Sequence, residues 1–535
     1  MKASLFLIFY LTGAFLFAQN TKPMLNGCIY EDVNHNGLKD PSEKGISNVR
    51  VSNGIDVHVS DQTGNYELEL LEGQTFFVIK PTGYQLPTDE FNISEAYFHY
   101  YPKKSESLYA ETIPQQEEAP QSFDIPLYKH EENKEFSMAM IGDTQARFQR
   151  QVNYAHQIAE ELLYEELEGA AILGDIGDDN AMIFPAFQQL FKQFGTQIYP
   201  VAGNHDRNYD SQIKGNEFNS FKKAFGPDHY SFDIGNVHFI VMNDVTTIKG
   251  IQYTDIIPED NLLFIENDLK YVSKDQLVVF LQHIPINHLK VESKQRLLDL
   301  IADYSNVMAF SGHMHKMTHN FIPYGKENTL HEIVVGAACG LWWGGEFDEK
   351  GIPNALMGDG APKGYYVANF KNNEVQLEFR ATGKPKREQM HIWVYQEENT
   401  ISDPTMELPK GMNENQFLVN VWAGSEKTEV TARIDKGEWF PLLRTDEILD
   451  PYVRRAFLLD SLKLSNHKSH LGNSIPKNMA SHIWIGDFPT DLKKGSHLIE
   501  IKATDELGID VEGIRVFTKG NFDGEYKDID WYNMN

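Results

Sequence analysis

Cysteine is scarce in this chain of 535 residues, where Cys28 and Cys339 are the only two. A small fold stapled by several disulfides is therefore excluded. The two thiols fall in different predicted domains, and nothing in the sequence demands that they pair. Residues 25–28 faintly resemble a lipidation site, but polar residues separate Cys28 from the N-terminal apolar run. We therefore expect a buried strand thiol rather than a lipid anchor.

Basic residues are also few relative to acidic ones. The chain carries 48 lysines and arginines against 77 aspartates and glutamates, which gives a formal net charge of -29. Such a surface repels nucleic-acid phosphates and anionic lipid headgroups at long range, so we expect no nucleic-acid partner. A local basic pocket is compatible with this balance, and the charge does not exclude a small phosphate ester as a ligand.

Long apolar runs are missing beyond the N-terminus, so the sequence predicts no transmembrane span. At the N-terminus, Lys2 precedes an apolar run over residues 5–17, and Ala18 is followed by Gln19. This order is typical of a secretory signal peptide covering residues 1–18, with an uncleaved anchor as the alternative. We therefore expect an exported protein, located in the periplasm or outside the cell.

The chain is too long for a single hydrophobic core, and its residue pattern changes twice. Residues 22–130 carry short β patterns between turn residues, which predicts an N-terminal β-sandwich-like domain. Residues 131–382 alternate apolar strands with helical segments, which predicts an α/β layered domain. Residues 383–535 return to β patterns around one helix predicted over residues 450–464, which Asp450 would cap.

Polar clusters follow five strand cores of the middle domain directly. The strand cores are 138–141, 170–173, 198–201, 278–281 and 307–310, and the clusters are 142–145, 174–179, 203–206, 282–283 and 312–315. Because ligands of open α/β sheets gather beyond the carboxyl ends of the strands, we expect these side chains to converge. Their mixture of carboxylate, amide and imidazole suits divalent transition metals better than calcium or magnesium.

In this order, the five clusters resemble the motifs of the calcineurin-like metallophosphoesterase family. The resemblance covers residues 135–380, and the flanking β domains fit a bacterial branch of that family. It implies a central four-layer αββα domain that holds two divalent ions (Mn, Fe or Zn). By this resemblance, Asp175 would bridge both ions, Asp143, Gln145 and His315 would complete one site, and Asn204, His283 and His313 would complete the other. His205 would act near the leaving-group oxygen and would be oriented by Asp206.

The resemblance implies a hydrolase of phosphate monoesters or diesters, on a small molecule or a glycan, in which the two metals activate a water. Gln145 departs from the family's commonest first motif, Asp-x-His, because it places a neutral amide where an imidazole is usual. Some branches of the family carry Gln here and remain hydrolases. A non-catalytic binding module with a degenerate metal site is the alternative.

Two residue pairs near these clusters admit more than one role. Asp178 and Asp179 could support the metal site, but we favour capping of the helix that is predicted to begin near Ala181. Trp342 and Trp343 lie in a glycine-rich loop after the last cluster. They could form a substrate-stacking wall or pack a domain interface, and the sequence favours neither.

A second metal signal lies near the N-terminus, where residues 32–43 match the spacing of a twelve-residue calcium loop. The oxygen donors in this spacing are Asp32, Asn34, Asn36, the Leu38 carbonyl, Asp40 and Glu43, with Gly37 at the sixth position. The flanks are not helical, which favours a structural calcium site in an extracellular β domain. The alternative is a turn without metal, rich in Asp and Asn.

Overall fold

The computed structural model describes residues 23–116, 118–120, 122–211, 213–395, 407–461 and 480–520. The predicted signal peptide, residues 1–18, lies outside these ranges. Within them, no helix has the length and apolar character needed to cross a membrane. Cys28 and Cys339 are both buried and unpaired.

The N-terminal region forms two four-stranded sheets that pack against each other. One sheet contains, in spatial order, β4 (Asn65–Glu69), β1 (Met24–Glu31), β8 (Ile125–Lys129) and β6 (Tyr84–Gln85). The other contains β3 (Val57–Val59), β2 (Arg50–Ser52), β5 (Gln74–Val78) and β7 (Tyr97–Tyr100). Both sheets contribute alternate apolar side chains to one core, in which Tyr66 stacks on Phe76 with 5.2 Å between ring centroids. This architecture agrees with the predicted β-sandwich-like domain.

The central region contains two larger sheets that face each other. The five-stranded sheet has the order β11 (Ile198–Val201), β10 (Gly169–Leu173), β9 (Glu135–Ile141), β20 (Gly364–Lys371) and β21 (Glu374–Ala381). The six-stranded sheet has the order β12 (Tyr230–Ile234), β13 (Val237–Val241), β16 (Leu277–Leu281), β17 (Asn306–Ser311), β19 (Asn328–Val335) and β18 (Met317–Tyr324). Tyr199 and Phe232 stack across the two sheets at 3.8 Å, and the hairpin of β14 (Thr246–Lys249) and β15 (Gln252–Thr254) lies apart.

Helices connect the parallel strands of both central sheets. They are α1 (Gln149–Leu162), α2 (Phe184–Phe191), α3 (Asn219–Phe225), α4 (Glu259–Leu269) and α5 (Val291–Leu300), with short 3-10 turns at Ala181–Ile183 and Ile286–His288. In α1, Val152, Ala155 and Ile158 are buried at helical spacing, which fixes the face that packs on the sheet. Helices and paired sheets together give the predicted α/β layered fold, and all five predicted strand cores are strands.

The C-terminal region again forms two four-stranded sheets. One has the order β22 (Met390–Val394), β23 (Gln416–Val421), β27 (Ile483–Asp487) and β26 (Leu443–Thr445), and the other β25 (Phe440–Pro441), β24 (Glu429–Ile434), β28 (Gly495–Thr504) and β29 (Asp510–Lys519). The predicted helix begins where expected, as α6 (Pro451–Ser461), and residues 462–464 lie outside the described ranges. Asp450 caps it, because its Oδ1 accepts from Tyr452 N at 2.9 Å.

A buried charge cluster joins the N-terminal sandwich to the central sheets. Arg50 of β2 donates to Asp233 at 2.5 Å and to Asp268 at 2.9 Å. His238 lies fully buried in β13, within 2.7 Å of Asp233 and 3.0 Å of Asp268. His238 is thus a strand residue, as the sequence indicated, and it also helps to satisfy the two carboxylates that hold Arg50.

Candidate metal centre

The carboxyl ends of β10, β11, β16 and β17 bring four of the predicted ligands together. Asp175, His283 and His313 each offer a ligand atom within 4.8 Å of the others. His283 Nε2 lies 3.2 Å from Asp175 Oδ2 and 3.1 Å from Asn204 Oδ1. His313 Nδ1 lies 3.2 Å from the same His283 nitrogen. Four residues that are distant in sequence therefore converge on one point, as the placement of their clusters predicted.

The remaining three predicted ligands lie beside this group. Asp143 accepts hydrogen bonds from His313 N at 2.9 and 3.1 Å, and His315 Nε2 lies 3.6 Å from Asp143 Oδ1. Gln145 N donates to the Asp175 carbonyl at 2.8 Å, which holds this residue next to the first group. The seven predicted ligands thus form one connected cluster.

Five of these residues have left-handed backbone conformations. The φ values are 45° for Asp143, 33° for Gln145, 50° for Asp175, 70° for His313 and 48° for His315. A residue other than glycine held in such a conformation costs about 1–3 kcal/mol and persists only where its surroundings enforce it. Such strain concentrated at a polar cluster is typical of a functional site.

Glycines allow the loops to approach each other closely. A Cβ atom on Gly312 would lie 2.4 Å from Asp143 Oδ2, and one on Gly203 would lie 2.3 Å from Asp175 Oδ1. No side chain fits at either distance, so only glycine permits these loops to pass. Gly203 and Gly312, which open two of the sequence clusters, are therefore explained by the approach of their loops to the two carboxylates.

The charges in the cluster favour bound cations. Asp143 and Asp175 are 0% and 2% exposed, and among the described residues no lysine or arginine contacts either carboxylate. Burial raises the pKa of Asp143 to about 8. Burial also opposes ionisation of Asp175, but His283 and His205 hold the pKa of this carboxyl below its ordinary value. Buried carboxylates are normally paired or bound to metal, so this donor set fits divalent ions.

Two imidazoles are oriented from behind by backbone carbonyls. His283 Nδ1 lies 2.9 Å from the Leu173 carbonyl, and His315 Nδ1 lies 2.5 Å from the Gly340 carbonyl. Each contact fixes the hydrogen on Nδ1 and leaves Nε2 facing a carboxylate. This is the usual arrangement behind metal-binding histidines, in which the outer partner sets the tautomer and the ring orientation.

His205 is oriented by a different carboxylate from the one predicted. Its Nδ1 lies 2.5 Å from Asp179 Oδ1 and 4.0 Å from Asp178, and its side chain is 30% exposed. Burial alone would lower the pKa of His205, but Asp175 and the hydrogen bond to Asp179 raise it to about 9. The imidazole therefore carries a proton near neutral pH while it remains accessible from solvent.

Asp206 binds backbone N–H groups through its side chain, which makes no hydrogen bond to His205. Its carboxylate accepts from the backbone N–H groups of Gly177 at 2.8 Å, Gly203 at 2.9 Å and Ile176 at 3.2 Å. It therefore ties two of the site loops together, and the prediction that it orients His205 is wrong. The prediction that Asp178 or Asp179 caps the next helix is also wrong, because the Asn180 side chain accepts from Met182 N.

Trp342 and Trp343 have different roles. Trp343 is 1% exposed, and its Nε1 donates to the Thr144 carbonyl at 3.0 Å, so it cannot line a substrate pocket. Trp342 is half-buried and stacks on His315, with 4.7 Å between ring centroids. It also packs against the cluster formed by Leu341, Val453 and Phe457, which belongs to a domain interface.

Three residues at the site were missed by sequence reasoning. Tyr209 donates to Asp179, Arg207 lies 5.1 Å from the rings of both Tyr209 and Tyr253, and Tyr253 meets His313 edge to face. Arg207 and Tyr209 follow the third cluster closely in sequence, so their position could have indicated that they lie at the site. Tyr253 lies in the β14–β15 hairpin and carries no motif.

The calcium-type loop closes on itself through its oxygen donors. Asp32 accepts from Gly37 N at 2.8 Å, and Glu43 accepts from Val33 N and Asp40 N at 3.0 Å. Asp40 Oδ2 accepts from the side-chain amides of Asn34 at 2.7 Å and Asn36 at 3.1 Å. The loop leaves β1 directly, so its flank is a strand, as predicted.

Three family models match successive parts of the chain. The family model described as N terminal of calcineurin-like phosphoesterase matches residues 33–112. The calcineurin-like phosphoesterase model itself matches residues 136–317, and the model of the C-terminal region of this family matches residues 332–510. No protein with a curated description matches the chain significantly.

Solved structures give weaker likenesses. A dimetal phosphatase from Danio rerio has 13% identity and a TM-score of 0.33, over 46% of this chain and 97% of that chain. Purple acid phosphatase PPD1 from yellow lupin seeds has 12% identity and a TM-score of 0.36, over 65% of this chain and 66% of that one. GAP50, the anchor in the inner membrane complex of Plasmodium, has 14% identity and a TM-score of 0.32, over 47% and 85%.

The assignment rests on the three family models, which follow each other along the chain in domain order. The chain belongs to the calcineurin-like phosphoesterases and carries both the N-terminal and the C-terminal domains of that family.

Proposed function

We propose that this chain is an exported, binuclear metallophosphoesterase that hydrolyses phosphate monoesters or diesters of small molecules or glycans. The observation that carries the proposal is the convergence of carboxylate, amide and imidazole donors around two buried carboxylates, neither of which contacts a lysine or arginine among the described residues. The export step rests on the N-terminal residues 1–18, and we expect the mature chain to begin at Gln19.

The family resemblance implies two sets of ligands, and the contacts described above are compatible with this division. We propose that Asp143, Gln145 and His315 hold one ion, that Asn204, His283 and His313 hold the other, and that Asp175 is shared. Imidazole, amide and carboxylate donors suit Mn, Fe or Zn. When bound, two such ions polarise the phosphoryl oxygens and lower the pKa of water, which is the chemistry that an in-line displacement at phosphorus requires.

The protein's own contribution to the reaction is proton transfer and orientation. We propose that His205 donates a proton to the departing ester oxygen, or a hydrogen bond to a phosphoryl oxygen. Asp179 fixes the ring through Nδ1, so that Nε2 is the nitrogen presented to the substrate. The 30% exposure of His205 gives a substrate access to this nitrogen.

Metal removal tests whether the protein is an enzyme or a non-catalytic binding module. The neutral amide of Gln145 is the one feature that favours the binding module. We expect dialysis against dipicolinate to abolish hydrolysis of aryl phosphate mono- and diesters, because the donors described above cannot activate water alone. Mn²⁺, Zn²⁺ or Fe²⁺ should restore turnover, measured as phenolate release. A folded protein that stays inactive with every metal would support the binding module instead.

We further propose that the loop over residues 32–43 binds a structural calcium ion in the extracellular medium. The double variant Asp32→Ala, Glu43→Ala should lower the melting temperature more with calcium than with chelator, because it loses the loop hydrogen bonds in both conditions and calcium then stabilises the wild-type protein alone. The measurement is thermal unfolding with calcium and with chelator.

Asp61→Ala is the matched control for this experiment. Asp61 closes a turn in the same sandwich by accepting from Thr63 N at 2.8 Å and Asn65 N at 2.9 Å, and the chain continues from this turn directly into β4 (Asn65–Glu69), so it does not form a twelve-residue loop. Asp61→Ala should lower the melting temperature by the same amount with and without calcium. If the double variant also lowers the melting temperature by the same amount with and without calcium, the calcium proposal is wrong.

A further inference from the structure

The segment that follows His315 is held by a buried carboxylate. Asp359 Oδ2 accepts from Met317 N at 2.6 Å, two residues after the metal ligand proposed above. Next to Asp359, Gly358 N donates to the carbonyl of His315 at 3.0 Å. The loop around residue 359 therefore contacts the backbone at His315 itself and at Met317, two residues later.

Asp359 is in turn held by the C-terminal sheets. His482 Nε2 lies 3.0 Å from Asp359 Oδ2, and His482 Nδ1 lies 2.7 Å from Asn420 Oδ1. Asn420 Nδ2 donates to the Asp359 carbonyl at 3.0 Å. All three side chains are 0% exposed. Because a buried carboxylate needs donors for both oxygens, the C-terminal domain stabilises Asp359 in this position together with the backbone N–H groups of Met317 and Ala361.

Asp450 extends the chain of polar contacts to the helix of the C-terminal domain. Its Oδ2 accepts from Asn420 Nδ2 at 2.9 Å and faces His391 Nε2 at 2.5 Å, while Oδ1 caps α6. A Cβ atom on Gly360 would lie 2.3 Å from Asp450 Cγ. The loop after Asp359 thus lies directly against the carboxylate that begins α6.

An apolar contact leads from the same helix back to His315. Val453 and Phe457 of α6 pack with Leu341 and Trp342, and Trp342 stacks on the imidazole of His315. The C-terminal domain therefore reaches this ligand by two independent routes, one polar and one apolar. His315 has a φ of 48°, a conformation that persists only when its surroundings enforce it.

We propose that His482, Asn420 and Asp450 are positioning residues of the C-terminal domain, which hold His315 in its metal-binding orientation through Asp359. The proposal rests on the proposed function in one respect, namely that His315 binds a metal. The C-terminal domain would then contribute to the metal site of the neighbouring domain, because its three residues hold a proposed ligand of one ion in place. Loss of such outer partners typically lowers metal affinity or activity roughly 10–100-fold.

The test compares His482→Leu with His497→Leu. His497 is the matched control, because it is 9% exposed in the same domain and lies 2.5 Å from Asp435 and 2.8 Å from the Lys493 carbonyl, away from Asp359. We expect His482→Leu to weaken one of the two Zn²⁺ binding steps roughly 10–100-fold in calorimetric titration and to leave the other step unchanged. His497→Leu should leave both steps unchanged, whatever it does to the melting temperature.

Amide hydrogen exchange provides a readout that needs neither metal nor activity. In the metal-free protein, the Met317 amide should exchange about tenfold faster in His482→Leu than in the wild type, and at an unchanged rate in His497→Leu. Asp450→Asn keeps the shape of the side chain and the helix cap, so it serves if His482→Leu does not fold. It should accelerate exchange in the same peptide.

Two results would overturn the proposal. One is wild-type exchange at Met317 in both His482→Leu and Asp450→Asn, and the other is an equal loss of Zn²⁺ affinity in the control. If the wild-type protein itself binds no metal, the proposed function fails, while the exchange rates still decide whether the C-terminal domain holds the His315 segment.

Discussion

Asp175→Asn should abolish the loading of two metals and lower kcat by about a thousandfold or more, since the proposed mechanism uses both ions and Asp175 is the one group assigned to both. The amide that replaces the carboxylate is neutral and offers a single oxygen, so it cannot bridge two cations. The carboxylate also accepts from His205 N at 2.8 Å, and the amide oxygen of asparagine can retain this hydrogen bond, so the loop that carries Asn204 should keep its place. The measurement is metal content per chain by mass spectrometry, together with turnover of an aryl phosphate.

Asp206→Asn is the control for this prediction, because Asp206 is equally buried and lies beside Asp175 but contacts only backbone N–H groups. We expect it to lower stability and to retain two metals per chain. Two metals retained in Asp175→Asn would refute the shared role of this residue.

His205→Ala should slow turnover by about 10²–10⁴-fold for esters with poor leaving groups and much less for aryl esters with acidic phenols. The reason is that an alkoxide needs a proton as the ester bond breaks, whereas a stable phenolate does not. The dependence of log kcat on the pKa of the leaving group should therefore become steeper, which a series of substituted phenyl and alkyl phosphates would measure.

Asp179→Asn should show the same trend at smaller size, because it removes the carboxylate that fixes the His205 ring. Asp178→Asn is the matched control, since Asp178 lies 4.0 Å from His205 and pairs with Arg147 at 3.1 Å. A loss of equal size for all leaving groups in His205→Ala would argue against proton donation and in favour of substrate binding alone.

The proposed ligands could be selected from the sequence because their motifs are local. Each cluster directly follows an apolar strand core, and parallel strands place their carboxyl ends at one edge of a sheet. Convergence of Asp175 with Asn204, and of His283 with His313, therefore followed from strand order, whereas the meeting of the two pairs depends on how the two sheets face each other. The glycines at 203 and 312 were visible as turn residues, and the structure adds that no Cβ fits beside the carboxylates there.

Partners of the site residues could not be predicted from the same pattern. Asp206 is adjacent to His205 in sequence, yet its side chain turns inward to three backbone donors, while Asp179 reaches the imidazole from another loop. Which of two acidic residues faces a histidine depends on side-chain direction in a strained loop. The same limit applied to Trp342 and Trp343, which are neighbours in the chain but point to different environments.

By itself the sequence determined the fold class, the family and the seven residues that we propose as ligands, because strand periodicity and short motifs encode these locally. Only the tertiary structure decided that Asp179 supports His205, that Trp343 is a core residue, and that His482, Asn420 and Asp450 lie behind His315. These contacts join residues that are distant in sequence, and their energies come from burial, which no local pattern of residues specifies.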